Sequence, residues 1–229
     1  MSVQLSPIIA GVMNWGVWDK NLNTNEFTHL INLFIENGIT TFDHADIYGG
    51  YTTEASFGKA LSESKIDRKK IQLITKCGIQ YTSENRPNNS IKHYEYSKDY
   101  IIWSAENSLK NLQTDYLDVF LLHRPSPLMQ ADEIAEAVSK LKADGKILSF
   151  GVSNFTSSQT ELLRQKTEIS FNQVQFSATH HEAMLDGSLD YMQVHNIKPM
   201  AWNPLGTVFR ENTDQTFRLR QLLAKLVEK

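Results

Sequence analysis

The chain has 229 residues, 41% hydrophobic and 21% charged, enough for one large α/β domain or two small ones with a sizeable core. Its 23 basic and 26 acidic residues are interspersed, for a net charge of -3, and no Lys/Arg block offers a surface to nucleic acid or an anionic membrane. Residues 1–10 carry no basic region followed by an apolar one, no apolar run approaches the roughly 20 residues of a membrane span, and the one cysteine, Cys77, excludes an intrachain disulfide, so a cytoplasmic setting is expected.

Short apolar runs alternate with stretches of helical period, the pattern of a parallel sheet wrapped by helices. The first strand is expected at residues 8–13. A helix follows, with Phe27, Leu30, Ile31, Phe34 and Ile35 on one face, Asn23 as its N-cap and Gly38 as its stop. Strands at residues 40–43 and 72–76 come next. The polar stretch over residues 80–96 is too long for an ordinary strand-to-helix loop and is expected to be functional or mobile. Beyond it the pattern predicts a helix over 101–112, a strand over 119–123, a helix over 134–141 stopped by Gly145, and a strand over 150–153. A weaker helix over 156–165, a strand over 171–175, another weak helix over 187–195 and a seventh strand over 198–203 complete the alternation. The last helix starts near Thr213 and turns Leu219, Leu222, Leu223 and Leu226 to one side. No linker or shift in composition divides the chain, so residues 1–229 are expected to form one domain.

In a parallel barrel the loops at the carboxyl ends of the strands build the active site. Polar residues stand at those ends: Asp43, Lys76, His123, and Ser153 with Asn154. Any one of them could merely satisfy loop backbone, but that does not account for the whole set. His180-His181-Glu182 is read as loop, because adjacent histidines seldom chelate one ion, and no metal site is expected. Cys77 lacks a cysteine partner and is read as packing, and Gly49-Gly50 as a turn. No G-x-G-x-x-G is present, which argues against a Rossmann fold.

The segment from Gly38 to Gly49, with Asp43, Ala45 and Tyr48, resembles the D-x-A-x-x-Y pattern of the aldo-keto reductases. Further matches follow in order at Ile74-Thr75-Lys76, Leu121-Leu122-His123-Arg124-Pro125, Gly151-Val152-Ser153-Asn154-Phe155, Asn172-Gln173 and Trp202-Asn203-Pro204-Leu205-Gly206. The likeness covers essentially the whole chain and is nearest to the bacterial branch reading DHADIYGGY.

The resemblance implies a (β/α)8 TIM barrel and an NADPH-dependent reduction of a small aldehyde or ketone by hydride transfer. In that family's terms Tyr48 is the general acid, His123 orients and polarises the carbonyl, Lys76 lowers the Tyr48 pKa by about 1 to 3 units, and Asp43 holds Lys76. Ser153, Asn154 and Gln173 are implied to hold the nicotinamide carboxamide, since amide side chains supply both donors and acceptors. Trp202 is implied to stack on the ring, Asn203, Leu205 and Gly206 to embrace the pyrophosphate, and Met13 and Asn14 to touch the cofactor through backbone. Asp43 counts in both sets.

Competing readings are a non-catalytic nucleotide-binding or regulatory homologue, an inactive fragment and, more remotely, a metal-dependent hydrolase on the same barrel. The joint presence of Asp43, Tyr48, Lys76 and His123 favours chemistry. Only about seven βα units are counted where such barrels have eight, so the sequence is read as C-terminally incomplete, with the first and seventh strands left as unpaired edges. Neither the particular carbonyl substrate, nor the preference for NADPH over NADH, nor the oligomeric state is readable.

Overall fold

The computed structural model describes residues 3–227. Its elements, in chain order, are β1 (Ile9–Gly11), α1 (Thr24–Glu36), β2 (Thr41–Asp43), α2 (Tyr48–Tyr51), α3 (Thr53–Ser64), β3 (Gln72–Cys77), β4 (Ile79–Gln80), β5 (His93–Tyr94), α4 (Lys98–Leu112), β6 (Leu117–Leu122), α5 (Ala131–Ala143), β7 (Ile147–Ser153), α6 (Ser157–Arg164), β8 (Phe171–Gln175), α7 (Ser188–Val194), β9 (Lys198–Trp202) and α8 (Asp214–Val227). Seven strands, the seven expected, pair in parallel in the order β1-β2-β3-β6-β7-β8-β9. As expected too, β1 and β9 end the order, each with one neighbour among the described residues.

Alternation along the strands divides the apolar side chains into two layers. Leu73, Phe120, Phe150 and Val152 join Phe27, Ile31, Ile101, Val138 and Leu163 of the helices in the larger core. Ile74, Val119, Leu121, Phe171 and Met200 form a smaller core with Val3, Leu5 and Ile9 packed against it. Burial on both faces is why β6 reads as a nearly unbroken apolar run. The sheet is curled. Gln173 of β8 donates to Asp43 of β2 across 3.2 Å, although the two strands lie four places apart and a flat sheet would separate them by roughly 19 Å.

At the amino ends of the strands the register is pinned by Arg68. Its guanidinium donates to Asp118 Oδ2 at 2.6 Å, to Thr114 Oγ1 and to the carbonyls of Ile71 and Tyr116. The same Asp118 oxygen accepts from the Leu73 amide, so one carboxylate on β6 joins β3 and the turn before it.

Differences from the sequence reading have local causes. β1 is shorter than expected because β2 offers partners only from Thr41 to Asp43. Helix α1 begins as expected, with a reciprocal capping box between Asn23 and Glu26, and Gly38 follows its C-cap. Helix α3 was not among the helices read from the sequence, since its buried face is built from small and polar residues, with Thr53, Glu54, Gly58 and Ala60 beside Phe57 and Leu61. The stretch over residues 80–96 folds into the β4–β5 hairpin. Among the described residues, no helix is long and apolar enough to cross a membrane.

Gly58 lets α3 touch α4: a Cβ there would meet the Asn111 carbonyl oxygen at 2.1 Å and the Leu112 backbone at 2.7 Å. On an open helix surface Gly→Ala stabilises by about 1 kcal/mol. Here overpacking should reverse the sign, and Gly58→Ala is expected to lose about 1 to 3 kcal/mol, read as a lower urea midpoint. An unchanged or raised midpoint would mean that the two helices are free to part.

Candidate active site

Lys76 stands one residue before the end of β3, buried with its side chain 1% exposed. An ammonium has three protons to donate, and all three are used: Asp43 Oδ1 at 2.7 Å, the His44 carbonyl at 2.7 Å, and the Tyr48 hydroxyl oxygen at 3.4 Å. Because the Tyr48 oxygen accepts from Lys76, its own hydrogen is left over, and it donates to no other described residue. Tyr48 opens a tight turn in which Gly49, Gly50 and Tyr51 take φ of 60°, 66° and 72°, a left-handed run in which the glycines avoid the Cβ penalty.

His123 follows β6, its amide carrying the ladder on to the Cys77 carbonyl at 2.9 Å. Its ring meets the Tyr48 ring edge-on at 6.1 Å, and its buried Nδ1 has no partner among the described residues. Burial, then the charges of Lys76 and Arg124, hold its pKa well below the ordinary value, so the imidazole is neutral. Burial also pushes the Tyr48 phenol up, opposed by Lys76 and reinforced by Asp43. This corrects the sequence expectation: Lys76 does pull the tyrosine pKa down, but burial outweighs it and the net shift is upward. Lys76 itself suffers from burial, yet Asp43 and Tyr48 together keep its pKa above normal.

A chain of hydrogen bonds continues around the mouth. Gln173 Nε2 donates to Asp43 Oδ2, the Ser153 hydroxyl to the Gln173 carbonyl at 3.1 Å, Asn154 Nδ2 to Ser153 Oγ at 2.8 Å, and Trp202 Nε1 to Asn154 Oδ1 at 2.8 Å. All of these residues line one cleft of about 1440 Å3, together with Met13, Asn14, Tyr48, His123, Asn203 and Pro204. Leu205 and Gly206 do not line it. Leu205 is 65% exposed, and Gly206 is buried against Ser177 and Thr179. The turn they share with Asn203 is braced by Arg210, which donates to Asn203 Oδ1 at 2.9 Å and to the Gly206 carbonyl at 2.8 Å. The sequence reading missed Arg210, and it missed Trp18, whose ring lies edge-on to Tyr48 at 6.1 Å. It also missed Ile47, Ile79, Lys92, Tyr94 and Arg124 on the cleft wall. These come from loops and from the two-residue strands of the β4–β5 hairpin, too short for periodicity to give a signal; the Trp15 and Trp18 pair after β1 was the one visible hint.

The sequence model of the aldo/keto reductase family matches residues 7–224. The chain belongs to the aldo/keto reductase family. Among its relatives, the uncharacterized oxidoreductase YcsN of Bacillus subtilis is 48% identical over 225 residues, spanning 96% of this chain and 74% of the relative. The oxidoreductase YdhF of Escherichia coli is 44% identical, spanning 93% of this chain and 72% of its own length. Among solved structures, the thermostable aldo-keto reductase Tm1743 with the inhibitor epalrestat superposes with a TM-score of 0.79 at 26% identity, covering 100% of this chain and 81% of that one. The curled sheet wrapped by helices is thus the aldo/keto reductase barrel architecture.

Behind the mouth lies a sealed polar layer. Asp46 accepts from the Tyr100 hydroxyl at 3.2 Å and from Ser104 at 3.4 Å, and burial, followed by nearby Glu54, pushes its pKa up to about 8. Glu54, held by Thr75 at 2.6 Å, is raised by burial as well, while burial and Lys76 press His44 down to about 3. At neutral pH Asp46 and His44 are therefore largely uncharged. A carboxyl whose folded pKa is raised from about 4 to about 8 binds its proton more tightly in the folded state, so stability falls as pH rises through that window and levels off above it. Asp46→Asn removes this loss. Between pH 5 and pH 8 the variant should gain on the natural chain by about 1.4 kcal/mol per pH unit, measured by urea unfolding at each pH. A constant difference across the window would mean that Asp46 is already ionised at pH 5.

Proposed function

We propose that the chain reduces the carbonyl of a small aldehyde or ketone to an alcohol, with Tyr48 as the proton donor. The observation that carries this reading is the Lys76 hydrogen bond to the Tyr48 oxygen, which leaves the phenol proton free at the cleft. A nicotinamide nucleotide, NADPH in this reading, supplies the hydride when bound. The residues present fit such a group. The cleft exceeds the roughly 300 to 1,000 Å3 of ordinary small-ligand sites. Ser153, Asn154 and Gln173 would hold the carboxamide, Trp202 offers a flat ring, and the Asn203–Pro204 turn braced by Arg210 suits the pyrophosphate.

Tyr48 gives its proton to the carbonyl oxygen and becomes a phenolate. Its raised pKa keeps that proton on through neutral pH. The Lys76 ammonium then faces a growing negative charge, so their interaction strengthens along the reaction, the condition for lowering a barrier rather than merely binding substrate. Neutral His123 has one N–H to offer the carbonyl and adds no competing charge. Asp43 keeps Lys76 protonated and in place.

The direct test is oxidation of NADPH, with NADH alongside, by the purified chain and a panel of carbonyl compounds. Absence of turnover by nucleotide-loaded protein with every carbonyl would overturn the reading. Tyr48→Phe should reduce the rate by about 100- to 10,000-fold with nucleotide affinity nearly intact, and near-normal turnover would remove Tyr48 as the acid. Lys76→Met should be comparably severe. Because Lys76 pulls the tyrosine pKa down, its loss should also move the basic limb of the pH-rate profile to higher pH. A limb that stays in place would show that the limb does not report Tyr48.

A further inference from the structure

The cleft holds a charge imbalance that the proposed proton transfer does not use. Five cations line it, Lys20, Lys92, Arg124, Lys198 and Arg210, against one carboxylate, Asp43, which is committed to Lys76. None of the five forms an ion pair among the described residues, although the chain as a whole is net negative. Three have other settings. Lys198 begins β9, at the opposite end of the strand from Trp202. Arg210 braces the Asn203–Gly206 turn, and Lys20 borders a second groove beside the start of α1.

Arg124 and Lys92 remain. Arg124 directly follows His123, and its backbone is held on both sides by one buried phenol: its N–H donates to the Tyr96 oxygen at 3.2 Å, and its carbonyl accepts from the Tyr96 hydroxyl. Arg124 is half-buried, and its guanidinium lies 5.7 Å from the centre of the Trp202 ring and donates to no described residue. Lys92 sits immediately before β5, on the hairpin whose Ile79 and Tyr94 line the same cleft. With no protein acceptor among the described residues, this guanidinium keeps its donors for water or for an anion in the cleft, and its planar fork matches a carboxylate.

We propose that Arg124, assisted by Lys92, is a specificity determinant that binds a carboxylate carried by the carbonyl substrate. This rests on the carbonyl-reductase reading above. A loop cation beside His123 selects among carbonyl compounds by charge, while Tyr48, Lys76 and His123 treat the carbonyl alike in all of them.

The experiment compares 4-formylbenzoate with its neutral methyl ester, using the full chain and NADPH. The readout is the ratio of kcat/KM for the anion to that for the ester, which cancels any effect common to both. Arg124→Gln should lower the ratio by about 10- to 100-fold, the range for a hydrogen bond to a charged group, and exposed Lys92→Gln should lower it less. Arg124→Lys should restore part of it. An unchanged ratio in Arg124→Gln overturns the proposal. Calorimetric binding of 4-(hydroxymethyl)benzoate, which needs no turnover, separates the two readings. If nothing is reduced but that alcohol binds and loses at least tenfold affinity in Arg124→Gln, the anion site stands and the reductase reading fails. If binding ignores Arg124 as well, both fall.

Discussion

The ammonium of Lys76 is the constraint around which the mouth is arranged. A buried charge is tolerated only when its donors are filled, and filling three of them fixes three things at once: the Asp43 carboxylate that ends β2, the backbone at His44 just beyond it, and the oxygen of Tyr48 on the following turn. Asp43 passes the constraint on through its second oxygen to Gln173, and from there it reaches Ser153, Asn154 and Trp202. A single polar chain thus visits β3, β2, β8, β7 and the end of β9, tying strands that are not neighbours across the curl of the sheet.

That chain is set against a background kept nearly free of competing charge. Asp46, Glu54 and His44 lie close behind it, and burial drives all three toward their neutral forms. Were Asp46 ionised, its negative charge would add to that of Asp43 and oppose the pull of Lys76 on the Tyr48 proton. The sealed layer therefore leaves the field at the phenol to the Lys76–Asp43 pair. Orphaned oxygens on Asp46 and Glu54 fit that state, since a neutral carboxyl tolerates a missing partner better than a carboxylate does.

The seven strands were legible because burial on both faces concentrates apolar residues in short runs, and Asp43, Lys76, His123 and Ser153 were legible because they are the polar residues that terminate those runs. Helix α3 was not, because its inward face sets Thr53, Glu54, Gly58 and Ala60 beside only two large apolar residues, Phe57 and Leu61, too few for a helical period to stand out. The sign of the Tyr48 shift was hidden for a related reason. A sequence names the neighbouring cation, but the amount of water excluded from the phenol exists only in three dimensions. Arg124 shows the same limit: its position beside His123 is plain, whereas its lack of a counter-charge is a property of everything around it.

The Arg68 knot at the opposite end of the strands has a consequence for how such a protein can change. It ties the registers of β3 and β6 together from below, through Asp118, the Leu73 amide and two carbonyls, and borrows nothing from the mouth. The loops above are anchored to strands whose alignment is already decided. Drift in the loop residues that line the cleft can proceed there without loosening the scaffold, and a lineage built on this plan can exchange one ligand for another while its sheet stays in step.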